Sequence, residues 1–205
     1  MFWINRRNYR VVAAAAVLIF ITACGNTSIP ASTPAFISTN LTGVQFGKEF
    51  TLTDHTGVVR SLSDFKGKAV VIFFGYTHCP DICPTTMAEL AGAVKKLGKT
   101  AKRVQVLFVT LDPERDTPSV LKQYLSGFDS QFLGLHGDDQ ATRKIVGEFK
   151  AFSQKQVGAS PDQHTVDHST GVYIFDPRGQ LRLYAKASGD GGDALARDLS
   201  ELLKA

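Results

Sequence analysis

Two apolar runs set the strongest constraint on this chain's fold. They are Lys68-Ala-Val-Val-Ile-Phe-Phe74 and Val104-Gln-Val-Leu-Phe-Val-Thr110. Runs this continuous and rich in branched and aromatic residues are expected of strands covered on both faces. Between them Met87, Leu90, Ala91, Val94 and Leu97 recur at helical spacing, which predicts a helix over Thr85–Leu97. The core of the chain is therefore an α/β alternation.

The remaining elements extend this pattern. Phe50–Thr53 and Val58–Leu62 flank the turn Asp54-His-Thr-Gly57 and predict a hairpin. A helix is expected from Asp116-Thr117-Pro118 to about Phe128, with Pro at an early helical position. Phe132–Leu135 is a short strand, and Asp138 or Asp139 caps a helix ending near Phe152. Ser153–Thr170 is a polar connecting stretch. Gly171–Phe175 and Gln180–Tyr184 flank Asp176-Pro-Arg-Gly179, a strong hairpin signal, and a last helix spans Gly192–Leu203. This order predicts a thioredoxin-like core with an N-terminal β-hairpin and an inserted strand and helix.

The N-terminus reads differently. Arg6, Arg7 and Arg10 precede the apolar run Val11–Ile21, which is shorter than the roughly 20 residues of a membrane span but suits an export signal. Ile21-Thr22-Ala23-Cys24 resembles a lipoprotein lipobox. Residues 1–23 are thus expected to be a signal peptide and Cys24 the lipidated first residue of the mature chain. Residues 24–44, rich in Ser, Thr and Pro, form a tether, and 45–205 the folded domain. About 20 flexible residues reach roughly 25 Å from a membrane. Three of the 23 Lys and Arg residues lie in the signal, and the other 20 nearly balance 19 Asp and Glu. The basic composition therefore describes export and gives no reason to expect nucleic-acid binding.

If Cys24 carries lipid, Cys79 and Cys83 remain as a pair in a disulfide-permissive compartment. A bridge between them would close a very short loop and add little stability. They lie in Gly75-Tyr-Thr-His-Cys-Pro-Asp-Ile-Cys-Pro84, after a buried strand and at the entry to a helix. Spacing i, i+4 puts both thiols on one face of a helical turn. The helix N-terminus should ease their deprotonation. Two soft thiolates select Cu(I), Zn(II) or an iron–sulfur cluster. A cluster usually needs four cysteines and structural zinc two further ligands, whereas copper accepts fewer.

The loop before the last hairpin offers His164 and His168 as a third ligand, and His168, nearer the strand, is the better fixed. Asp167 is a candidate outer-shell carboxylate. His78 adjoins Cys79 but points away from it, and His55 and His136 are expected to be solvated turn residues.

Three segments carry a family resemblance. Gly75–Met87, Val166-Asp167-His168-Ser169 and Leu111-Asp-Pro-Glu-Arg-Asp-Thr-Pro118 occur in the order found in the Sco/SenC family. The resemblance implies a membrane-anchored periplasmic protein of the bacterial cell envelope with a thioredoxin-like fold. It implies one copper ion, Cu(I) or Cu(II), held by Cys79, Cys83 and His168. The implied partners are cytochrome c oxidase subunit II or its assembly factors, other periplasmic copper carriers, and the membrane through the lipid. It also implies either copper delivery to that subunit's binuclear site or reduction of the site's cysteines. In the second case Cys79 and Cys83 form the redox pair, disulfide-linked when oxidised. The first reading is a metallochaperone rather than an enzyme, and no certain catalytic residue is assigned. A peroxiredoxin-like peroxidase fails because neither cysteine has Thr or Ser three residues before it and Pro seven before.

Overall fold

The computed structural model describes residues 36–158 and 163–204. Strands β4 (Ala69–Gly75) and β5 (Val104–Thr110) are parallel, in register from Ala69 opposite Val104 to Gly75 opposite Thr110. Both are buried along their whole length. Alternation along each strand divides their side chains between two core layers. Val71, Phe73, Val106 and Phe108 enter one, and Ile72, Phe74, Leu107 and Val109 the other.

Three helices cover the first layer. They are α1 (Ile82–Lys96) through Met87 and Leu90, α2 (Pro118–Ser126) through Leu121 and Leu125, and α4 (Asp193–Leu202) through Leu195 and Leu199. The second layer is covered by α3 (Asp139–Glu148) through Ile145, and by Phe149 just beyond it. Side-chain caps start two of these helices: Thr117 accepts from the Val120 N–H and Asp138 from the Ala141 N–H.

Among the described residues the main sheet has eight strands. Its order is β1 (Thr39–Asn40), β10 (Leu181–Lys186), β9 (Gly171–Phe175), β4, β5, β6 (Leu133–His136), β2 (Thr51–Asp54) and β3 (Val59–Ser61). A separate antiparallel pair joins β7 (Ser153–Gln156) to β8 (Thr165–His168). The thioredoxin-like architecture, with its N-terminal hairpin and inserted strand and helix, is the one the sequence predicts.

Four local features differ from expectation. Helix α1 starts at Ile82, so Cys83 and Pro84 lie within its first turn. Helix α3 ends at Glu148, and Lys150 then adopts a left-handed φ of 50°. The polar stretch after it contains β7 and β8, which lack an apolar alternation because most of their residues face solvent. Part of the expected tether is folded: Phe36 packs on the first core layer, the N–H groups of Ile37 and Ser38 donate to buried Asp198, and β1 pairs with β10. The signal segment and Cys24 lie outside the described residues. No helix among the described residues is long and apolar enough to cross a membrane.

Candidate metal centre

The end of β4, the start of α1 and the end of β8 converge on one point. The ligand atoms of Cys79, Cys83 and His168 all lie within 4.8 Å of one another. Cys83 is fully buried, Cys79 is half-buried, and both are free thiols. Cys79 precedes α1, in a turn where its N–H donates to the Tyr76 carbonyl at 3.2 Å. It thus reaches Cys83 from the loop and not from a shared helical face.

His168 is oriented for ligation. Its Nδ1 lies 2.8 Å from the Ser169 carbonyl, to which it donates, so the lone pair falls on Nε2. Nε2 stands 3.5 Å from the Cys83 sulfur. Phe73 and Tyr76 flank the imidazole edge-on, with ring centroids 6.2 and 6.0 Å away. Asp167, the expected outer carboxylate, is exposed on the opposite face of β8 and accepts instead from Gln156 Nε2 at 2.8 Å. Strand alternation separates neighbours, so Asp167 and His168 face apart.

The electrostatics of Cys83 correct the expectation of easy ionisation. Burial pushes its thiol well above the usual range, and the adjacent Cys79 adds to that. A hydrogen bond from the Tyr76 backbone opposes the shift without overcoming it. Desolvation therefore outweighs the helix N-terminus, and a bound cation would supply the missing compensation.

Segment Leu111–Pro118 ties the two halves of the centre together. Buried Asp116 accepts from the Thr77 N–H at 3.0 Å, the Thr77 hydroxyl at 2.5 Å and the Thr110 hydroxyl at 2.6 Å, which fixes the loop leading to Cys79. Buried Asp112 faces His164, whose Nε2 lies 3.1 Å from each carboxylate oxygen. Arg115 pairs with Asp112, donates to the His164 carbonyl at 3.0 Å and lies over the Tyr76 ring. Asp112, Glu114 and His164 also bring three ligand atoms within 4.8 Å of one another. Arg115 and Lys155 already pair with these two carboxylates, so the cluster reads as a brace for the loop that leads into β8.

The other histidines stand apart from the centre. His78 is exposed, 3.8 Å from Asp116. His55 and His136 are half-buried where β2 pairs with β6, and His55 Nδ1 accepts from the Gly134 N–H at 3.0 Å. That pairing removes them from the solvated setting a turn sequence suggests.

This arrangement of elements recurs in known proteins. The SCO1/SenC family model matches residues 38–204. The chain belongs to the SCO1/SenC family. It is 38% identical over 138 residues to an SCO2-like protein of Rickettsia felis, covering 67% of each chain. Among solved structures it resembles copper-bound Bradyrhizobium japonicum ScoI, with a TM-score of 0.71 and 36% identity over 77% of this chain and 99% of that one. It also resembles copper-bound yeast Sco1, with a TM-score of 0.70 and 33% identity over 78% and 89%.

Three supporting features of this SCO1/SenC centre are not assigned from sequence. Gly75 is required by close packing, since a Cβ there would lie 2.7 Å from the Cys83 sulfur. Its place directly before the Cys motif is the available signal. Asp116 and the Ser169 carbonyl act through contacts made by distant or backbone groups, which spacing does not reveal.

Proposed function

We propose that this protein is a copper metallochaperone. Cys79, Cys83 and His168 hold one copper ion and pass it toward the binuclear copper site of cytochrome c oxidase subunit II. The observation that carries this reading is the imidazole of His168, tautomerically fixed by Ser169 and presenting Nε2 to the Cys83 sulfur beside Cys79. Two thiolates and one imidazole suit copper in either oxidation state. Copper bound in two similar Sco structures supports the same assignment. A neutral imidazole leaves Cu(I) more easily than a thiolate, so release to a recipient's thiolates would begin at His168.

A second reading has one observation in its favour: both cysteines are free and adjacent, as a dithiol reductant of the recipient site requires. In either role the domain works from the periplasmic side of a membrane, anchored by lipid on Cys24. One variant separates the two. His168→Ala should greatly weaken Cu(I) binding, measured by chelator competition on the reduced protein, while leaving reduction of a target disulfide largely intact. Unchanged copper affinity would remove His168 from the centre. Oxidase copper loading in cells that survives His168→Ala but not Cys79→Ser would favour the reductase.

A further inference from the structure

Charge in this fold is sorted along the strand axis. Strands β4 and β5 start level, Ala69 opposite Val104, so the segments leading into them lie side by side at one end of the sheet. Those segments are Lys66-Gly67-Lys68 and the short helical turn Gly98–Arg103. The turn after β9 joins them, because Phe175 pairs with Val70 and the Gly67 N–H donates to the Pro177 carbonyl at 2.9 Å. This end gathers Lys66, Lys68, Lys99, Lys102, Arg103 and Arg178, all exposed except half-buried Lys68. The carboxylates next to them in sequence are engaged: Asp64 accepts from the Ser61 N–H, and buried Asp176 pairs with both Arg178 and Arg182. Among the described residues the first five of these cations form no ion pair. The metal centre is at the other end, beyond Gly75 of β4 and before Gly171 of β9. The seven residues of β4, at about 3.3 Å each, separate the two ends by roughly 20 Å. Exposed Asp81, Glu114 and Asp167 stand at the metal end.

We propose that the basic end is a docking surface for an anionic lipid bilayer, which seats the domain with its metal centre facing away from the membrane. The inference goes beyond the copper reading and holds whether or not Cys24 is lipidated. The six cations are spread over three separate segments, and five have no ionic partner, which suits the diffuse field of a layer of headgroups rather than one bound anion. Each basic residue near such a surface strengthens binding by about fivefold, and the field fades within about 10 Å in salt. The carboxylate-bearing metal end lies beyond that range, so the field that attracts the domain also orients it. Lipid on Cys24 would bring the domain to a membrane without choosing which end faces it; the charge makes that choice.

The test is lysine labelling of the full chain with a water-soluble acylating reagent, read by mass spectrometry. It is run with vesicles of phosphatidylcholine alone and of an equal mixture with phosphatidylglycerol. Lys186, exposed where β10 pairs with Gly171 at the metal end, is the internal control. Anionic vesicles should slow labelling of Lys66, Lys99 and Lys102 by about fivefold or more relative to Lys186, and high salt should abolish the difference. Joint Lys66→Gln, Lys99→Gln and Lys102→Gln should cut the preference for anionic over neutral vesicles on the order of a hundredfold while leaving Cu(I) affinity unchanged. Equal labelling on both kinds of vesicle, or protection of Lys186 as strong as that of Lys66, overturns the proposal. A chain that shows the protection but takes up no copper overturns the function proposed above and leaves this inference standing.

Discussion

Asp112 and His164, 52 residues apart, form a buried pair in which one imidazole nitrogen lies 3.1 Å from both carboxylate oxygens. Asp112 sits just beyond β5, and His164 opens the way into β8. Four residues later the same strand ends at His168. Asp116 anchors the loop that carries Cys79, and Asp112 the loop that leads to His168, so one short segment bonds to both sides of the Cys79, Cys83 and His168 group.

His164→Phe should leave the Asp112 carboxylate without its imidazole partner and loosen β8. Loss of a buried hydrogen-bonded partner costs about 1–3 kcal/mol. Denaturant unfolding of the metal-free protein should show that loss, and amide exchange should rise along Thr165–His168 with copper affinity falling in parallel. An unchanged exchange pattern in β8 would show that the pair does not brace it.

Gly75→Ala should displace the Cys83 thiol. The added Cβ would lie 2.7 Å from its sulfur, with Phe108 and Phe73 closing the other sides. Overpacking of this kind costs about 1–3 kcal/mol. Copper affinity should fall even at temperatures where the variant remains folded, which chelator competition and circular dichroism can establish on one sample.

Acid stability should carry the signature of Asp54. Burial raises its pKa, but hydrogen bonds from Thr56, Arg60 and the Val58 backbone outweigh that and hold it at about 2, below its ordinary 3.8. A depressed carboxyl pKa stabilises the fold above the ordinary value, and the contribution is lost as pH falls from about 4 to about 2. Asp54→Asn should lower stability at neutral pH and flatten the pH dependence within that window, as measured by urea unfolding.

Export and lipidation have an optical test. The chain's single Trp, Trp3, precedes Cys24. Protein recovered from the membrane after processing at Cys24 should lack tryptophan emission, and mass spectrometry should place lipid on Cys24. Tryptophan fluorescence in the mature protein would show that the leader is retained.

Strands β4 and β5 were legible because burial on both faces leaves continuous apolar runs, and the helices because one buried face leaves a 3.6-residue period. Strands β7 and β8 were not legible, because Gln154, Lys155, Gln156 and Asp167 face solvent and leave no apolar period. Cys79 and Cys83 announce themselves by spacing, and His168 by its place in Val166–Ser169. The contacts that orient them carry no local signature.

By itself the sequence determined the α/β order, the two thiols at the mouth of a helix and a short choice of histidines, because these depend on spacing along the chain. The tertiary structure decided the rest. It placed His168 Nε2 against Cys83, turned Asp167 away, raised the Cys83 thiol by burial and set Asp112 and Asp116 as anchors. Distance, desolvation and hydrogen-bond partnership arise between residues brought together from distant points in the chain, and only the packed fold fixes them.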